Sequence, residues 1–153
     1  MKSFDVFNKF TAQLERHIQS TDKFRTKVVQ TPSSVDEKGV VIKITLLKTT
    51  LAQTPGTATR LVRCRIQVSG TAESMTGLEQ ACSAVESLDA YLCRKNASNE
   101  LRLENADGSE IRNTRLLTEV TADDSFIDSP DSTAVQEVED NRTVTIYVPA
   151  EEI

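Results

Sequence analysis

Three arginines lie close together in a segment whose residue pattern predicts a β-strand. Arg60, Arg63 and Arg65 are interspersed with apolar residues, and we predict that they form a basic stripe if the strand is regular. Guanidinium groups pair readily with carboxylates, either on neighbouring strands or on an acidic partner. Specific nucleic-acid recognition is disfavoured, because no aromatic side chain stands between the arginines to stack on bases. Two interpretations remain open: a solvated face paired within its own sheet, or a contact surface for an acidic partner.

Acidic residues are concentrated in the last quarter of the chain. Residues 117–153 contain 10 acidic side chains and one basic side chain, whereas residues 1–116 contain 13 acidic and 17 basic ones. We predict a flexible acidic loop over about 122–141, which includes Asp123, Asp124 and Asp128. These acids are not placed at alternating positions around a glycine, as in a calcium loop, so no metal site is predicted. The uneven charge also allows head-to-tail association through complementary patches.

Side chains with the chemistry of catalysis are scarce. His17 is the single histidine, and it falls near a predicted helix end among polar neighbours, where we expect an incidental role. Cys64, Cys82 and Cys93 have no zinc-binding spacing and are expected to be reduced, with Cys64 and Cys82 on apolar faces. No nucleophile elbow, phosphate-binding glycine loop or HExxH helix is present. We therefore predict a protein that is not an enzyme and that needs no cofactor.

Apolar stretches are short throughout the chain. None approaches the roughly 20 apolar residues that span a bilayer, and the first residues do not resemble a secretion signal. No membrane association is expected.

Hydrophobic periodicity predicts an α+β fold. Two helices are predicted, at residues 4–19 and 76–95, and the second should pack through an apolar stripe. The stripe residues are Met75, Leu78, Cys82, Val85, Leu88 and Leu92, and Ala81 and Tyr91 broaden it. The predicted strands are 40–48, 61–68, 100–104, 111–121 and 142–149, with a shorter one at Val28 and Val29. We expect a single domain over residues 1–153, with an antiparallel or mixed sheet of four to six strands packed by two α-helices.

A turn-rich segment joins two of these strands. Thr49–Thr59 contains no charged residue, and it includes Pro55-Gly56, a strong turn signal. The segment is predicted to be an extended hairpin arm or a flexible loop.

The order of elements resembles the tail terminator (tail completion) proteins of long-tailed bacteriophages. The segments that carry the resemblance are Arg63–Val68 leading into Ala72–Ser74, the helix over Leu78–Leu92, and the strand Val144–Val148. The resemblance spans roughly residues 4–149 and lies in layout and strand character.

This resemblance implies a role in assembly. Members form a ring, usually of six subunits, that caps the tail tube, stops its polymerisation and docks on the head connector. The implied partners are other copies of the chain, a tail tube protein and a head connector protein. The implied location is the head-proximal end of the virion tail, after a period in the host cytoplasm.

Under this resemblance, the charged and turn-forming segments are candidates for the interfaces between subunits or with partners. The hypothetical interface residues are Arg60, Arg63, Arg65, Thr54, Pro55, Gly56, Asp123, Asp124 and Asp128. The acidic loop would face a DNA conduit without holding phosphates, and the segment 49–59 would become ordered on a neighbour. Two alternatives remain: a small acidic chaperone-like binding module, and another virion protein such as a tail tube or neck protein.

Overall fold

The structure is a computed structural model that describes residues 1–33, 39–54, 57–93, 101–120, 127–128 and 136–150. It contains two α-helices and a mixed β-sheet, which confirms the predicted α+β class. In chain order the elements are α1 (Ser3–Thr21), β1 (Val28–Thr31), β2 (Val41–Thr54), β3 (Thr57–Ala72), α2 (Met75–Leu92), β4 (Arg115–Val120), β5 (Ile127–Asp128) and β6 (Gln136–Pro149).

The strands form one sheet in the order β1-β2-β3-β6-β4, and β5 pairs with the first part of β6. β1 runs parallel to β2, and every other pairing is antiparallel. β2 and β3 form a long hairpin whose register extends from Val41 and Ser69 to Thr54 and Thr57. The segment 49–59 is therefore an extended arm, the first of the two predicted alternatives.

One irregularity interrupts the hairpin. The register shifts between Leu46, which faces Cys64, and Lys48, which faces Arg63, so Leu47 is an extra residue in β2. An extra residue of this kind is a β-bulge, which bends its strand and increases the local twist.

Both helices pack on the same face of the sheet. Alternating residues of the strands point toward them and close a continuous apolar core. Fully buried side chains in this core include Val6, Phe10, Leu14, Ile18, Ile42, Ile44, Val62, Cys64, Ile66, Val68, Ala81, Ala84, Leu88, Tyr91, Val144 and Ile146.

The buried face of α2 differs from the predicted stripe. Leu88, Ala81 and Tyr91 are fully buried as predicted, and Ala84 is buried beside them, whereas Met75 and Cys82 are exposed. The remaining stripe residues are partly buried or lie at the core edge. The helix has turned so that small alanines meet the sheet, which lets the helix approach closely and places the large Tyr91 ring between the two helices.

The acidic segment is also more ordered than predicted. β6 begins at Gln136, six residues before the predicted start, so residues 136–141 belong to a strand and not to a loop. Pairing with β3 as far as Ala72 satisfies the backbone of this acidic stretch. Val138 points into the core and is 2% exposed, while Glu137 and Glu139 on either side face solvent. The other residues of the predicted loop, apart from Ile127 and Asp128, lie outside the described part.

The segment between α2 and β4 makes fewer strand contacts than predicted. Among its described residues, which begin at Leu101, the pairing consists of two isolated bridges, from Leu101 to Leu116 and from Glu104 to Glu110. β4 starts only at Arg115, because Thr114 turns the chain: its hydroxyl donates to the Ile111 carbonyl at 2.7 Å and accepts from the Leu103 N–H at 3.1 Å.

A buried carboxylate closes α1 and ties it to α2. Asp22 accepts hydrogen bonds from the backbone N–H of Phe24 at 3.1 Å, from the N–H of Thr26 at 2.9 Å and from the Ser83 hydroxyl at 2.7 Å. Burial raises the pKa of the Asp22 carboxyl, but these hydrogen bonds to its charged form outweigh burial, and the pKa is lowered from 3.8.

The Asp22→Asn variant tests this joint. Its free energy of unfolding at pH 7 should fall by about 1–3 kcal/mol, because an amide presents donors to a site that offers only donors. Since the folded pKa is depressed, the carboxylate contributes its full stability above about pH 3.8 and loses it as the pH falls through the folded value. The difference between wild type and variant, measured by urea denaturation at several pH values, should therefore shrink below that pH. Glu15→Gln, on the exposed side of α1, is the control and should show no such difference.

A second pair of variants tests the orientation of α2. Ala84→Glu places an unpaired charge in the core and should lower the free energy of unfolding by about 3 kcal/mol or more. Cys82→Glu changes an exposed position of the same helix and should alter it by less than about 0.5 kcal/mol. Thermal and chemical denaturation measure both; a larger loss for Cys82→Glu would mean that the helix is turned the other way.

Candidate interaction surface

In the described part of the chain, no helix packs on the second face of the sheet. We call it the open face. It is formed by the side chains that alternate with the core residues, and cross-strand partners share it. Its charged and aromatic members are Lys43, Lys48, Arg63, Arg65, Arg115, Glu119, Glu137, Glu139 and Tyr147.

One end of the open face, the end toward the hairpin arm, is basic. Lys48 and Arg63 are direct cross-strand neighbours, and Arg65 lies two residues further along β3. Arg63 Nη2 is 3.4 Å from Glu119 Oε2 on β4, and the Arg115 guanidinium stands 4.9 Å from the centre of the Tyr147 ring. Arg63 thus follows the first interpretation of the basic stripe, in which arginine pairs with an acid of its own sheet.

Besides Arg115, which contacts the Tyr147 ring, two cations at this end are not neutralised by the sheet. Arg65 and Lys48 are exposed and form no ion pair with any described residue. The end therefore keeps a positive charge after its internal pairing is complete.

The opposite end of the open face is acidic. Glu139 accepts hydrogen bonds from Gln67 at 3.1 Å and Asn141 at 2.8 Å, and Glu137 lies beyond it along β6. Glu139 faces Ser69, which is six residues and about 20 Å along β3 from Arg63. Lys43, beside Gln67, is the one cation near this end among the described residues. The face therefore carries opposite charge at its two ends.

Arg60 does not belong to the basic end. It has the same parity as Val62 and Cys64, so its side chain points to the helix side, where Nη1 donates to Thr49 Oγ1 at 3.2 Å. The Ser3 hydroxyl reaches the same Thr49 oxygen at 3.0 Å. The predicted stripe of three arginines is thus wrong for Arg60, because an odd residue spacing changes the face in a strand.

The remaining predicted interface residues are only partly located. Thr54 ends β2 with its backbone opposite Thr57, and Asp128 pairs with Glu137 through the backbone of β5. Pro55, Gly56, Asp123 and Asp124 lie outside the described residues.

Several members of the open face were missed by the sequence analysis. Lys48, Arg115, Glu119 and Tyr147 all lie next to Arg63 or one strand further away. The alternation of Arg115, Leu117 and Glu119 within the predicted strand was a signal that could have placed them on one face.

A buried ion pair holds α2 to the sheet on the opposite side. Arg142 Nε donates to Asp140 Oδ1 at 3.0 Å, and its Nη1 contacts Asp89 of α2. The Arg142 side chain is 10% exposed, so removal of its charge would leave two acids without their shared partner.

The groups with potential reactivity have packing roles. His17 Nε2 lies 3.0 Å from the Ser87 carbonyl oxygen, and its ring is 5.1 Å from that of Tyr91. His17 therefore belongs to the contact between α1 and α2, and its neighbours are not only the polar residues that the sequence suggested. Burial raises the pKa of the Cys64 thiol to about 12, which keeps it protonated. Cys82 is exposed, so the apolar environment predicted for it is wrong, and Cys93 is exposed as well.

The described residues offer neither a metal-binding cluster nor a membrane-spanning helix. They contain no group of three or more His, Cys, Asp or Glu side chains placed to hold a metal ion. Neither α1 nor α2 combines the length and apolar content required to cross a membrane.

Comparison with known proteins gave weak structural similarity and no sequence match. No family model and no curated protein sequence matches the chain. Among solved structures, a chain from the virion of a native gene transfer agent particle is similar to this one, with a TM-score of 0.45 and 11% sequence identity. The similarity covers 92% of this chain and 94% of that chain. A similarity at this level does not establish a shared function.

The ion pairs on the two faces should differ in their effect on stability. Glu119→Gln removes the exposed partner of Arg63, with side chains 71% and 49% exposed, and should change the free energy of unfolding by less than about 1 kcal/mol. Arg142→Gln should lower it by about 2 kcal/mol or more, because Asp89 and Asp140 lose their common cation. Urea denaturation of both variants measures the difference; equal losses would mean that the open face is also needed for folding.

Proposed function

We propose that this chain is a non-enzymatic assembly protein of a phage-type virion. Its copies join head to tail into a ring that caps the tail tube, ends its polymerisation and links the tail to the head connector. The observation that carries the proposal is the open face, with a basic end at Arg63 and Arg65 and an acidic end at Glu137 and Glu139. The resemblance in element order to tail terminator proteins supports the same role.

Charge of opposite sign at two ends of one molecule favours contacts between different copies. The acidic and basic ends lie about 20 Å apart on a continuous sheet, so they cannot meet within one copy. Between copies, complementary patches speed the encounter and disfavour register errors that bring like charges together. A contact that joins two different patches is heterologous, and it closes into a ring when the rotation between neighbours divides a full turn.

The distribution of charge supports binding rather than catalysis. Catalytic groups converge on a point where a reacting atom can sit. The charged side chains of the open face are instead spread along β3 and β6, with threonines between them at Thr143 and Thr145. Such a surface suits contact with another extended surface.

Native mass at several salt concentrations tests the ring. Light scattering at low ionic strength should give a closed oligomer, six copies in the form implied by the resemblance, and electron microscopy should show rings. The oligomer should dissociate as salt rises, because exposed charges are screened over about 10 Å at 0.1 M and less at higher concentration. A dimer that is indifferent to salt would contradict the ring and favour the small binding module.

Charge reversal at the basic end tests which residues make the contact. Arg63→Glu combined with Arg65→Glu should weaken self-association at least about tenfold, because the neighbour's acids then meet acids. Lys2→Glu combined with Arg112→Glu is the matched control, since it makes the same change in net charge at exposed positions outside the open face. Sedimentation measures association, and circular dichroism checks that both variants fold. Equal association of the two double variants would remove Arg63 and Arg65 from the interface.

A further inference from the structure

The outer edge of β2 is only partly paired with another strand in the described sheet. β1 lies beside Ile42–Thr45 and stops there. After the bulge at Leu47, β2 continues to Thr54, and no described strand pairs with its outer side. The uncovered part from Lys48 to Thr54 is about 23 Å long.

The register identifies the backbone groups that point outward along this edge. Ile42 donates its N–H to the Lys27 carbonyl, on the side away from β3. Alternate residues of an antiparallel strand share this direction, and the extra residue of the bulge moves the alternation from even to odd positions. Beyond the bulge, the outward N–H and C=O groups therefore belong to Thr49, Leu51 and Gln53.

From Thr49 to Gln53, the described part of the chain shows none of the features that usually prevent strand addition at such an edge. Proteins protect free edges with charged side chains, prolines, bulges or a covering segment. Residues 49–53 contain no charge and no proline, and the bulge precedes them instead of interrupting them. Thr49 and Thr50 are also β-branched, which favours extended pairing.

We propose that the outer edge of β2, from Thr49 to Gln53, binds an extended backbone segment of a second copy of this chain. Up to six N–H···O=C bonds would form with the three outward residues, so that the sheet continues from one copy into the next. The inference rests on the proposed self-association and adds to it the backbone atoms that make the contact.

Charge identifies the occupant as another copy. A segment that pairs with β2 lies beside cations on both faces of the sheet: Lys48 and Arg63 on the open face, and Arg60 on the helix side. The incoming segment should therefore carry acids. The chain itself holds 10 of its 23 acidic residues in positions 117–153. Among the described acids of this region, Glu119 and Asp140 pair with arginines of their own copy, whereas Glu137 and Glu139 are exposed at the far end of the sheet. An acidic segment of one copy thus meets the arm of its neighbour.

Hydrogen exchange on the purified full chain tests the edge directly. In dilute monomer the amides of Thr49, Leu51 and Gln53 should exchange rapidly, whereas those of Thr50 and Ala52 are bonded to β3 and should be protected. In the concentrated, assembled protein the three outward amides should become protected at least about tenfold. Rapid exchange of all three in the assembled protein overturns the proposal.

Proline substitution provides the second test. Leu51→Pro removes an outward N–H and leaves the β2–β3 bonds in place, so it should abolish assembly without loss of fold. Leu51→Ala shortens the same side chain but keeps the N–H, and it should still assemble. Gln53→Pro repeats the test at an exposed position in case the first variant fails to fold.

The outcomes separate the two proposals. If rings form and both proline variants still assemble, the edge is not the contact and the ring proposal stands alone. If the wild-type chain stays monomeric through a concentration series at low salt, the self-association fails and the edge proposal fails with it.

Discussion

The backbone ladder between β3 and β6 determines the position of every other element. It runs without a register shift from Thr59 and Pro149 to Ala72 and Gln136. Because side chains alternate along both strands, this single register sends Val62, Cys64 and Ile146 to one side and Arg63, Arg65 and Glu139 to the other. A slip of one residue would exchange the two sets, and burial of the arginines would then oppose the fold. The core therefore enforces the arrangement of the surface charges.

The two faces of the sheet consequently have separate tasks. The side under α1 and α2 holds the apolar core, the joint at Asp22 and the ion pair of Arg142 with Asp89 and Asp140. The open face holds exposed ion pairs and polar side chains that contribute little to folding. A surface that is not required for stability is free to be shaped by recognition, and this separation underlies the proposed ring.

The sequence predicted the elements better than it predicted their orientation. Period-two patterns located β3 and the second half of β6, because buried residues alternate there with half-buried or exposed ones. The stripe from Met75 to Leu92 and the alanine face of α2 share the same helical period, so hydrophobicity alone favoured the larger side chains and placed Ala81 and Tyr91 at the margin. In the structure Ala81 and Tyr91 are fully buried together with Ala84, and the small size of the alanines allows a close approach to the sheet. The start of β6 was missed because one inward apolar residue, Val138, stands among acids and leaves no period-two pattern. Arg60 was misplaced because it lies three residues from Arg63, and an odd spacing changes the face of a strand.

The bulge at Leu47 lets the hairpin arm take up an extra residue without changing the side on which the residues beyond it lie. Upstream of it, even-numbered residues of β2 face the helices; downstream, odd-numbered ones do. Because Leu46 faces Cys64 and Lys48 faces Arg63, loss of Leu47 alone would leave Lys48 on the open face and Thr49 and Leu51 on the helix side, and would remove only the bend and the added twist of the strand. In the evolution of such a chain, gain or loss of one codon at this position would re-aim the whole arm and leave its surface chemistry unchanged.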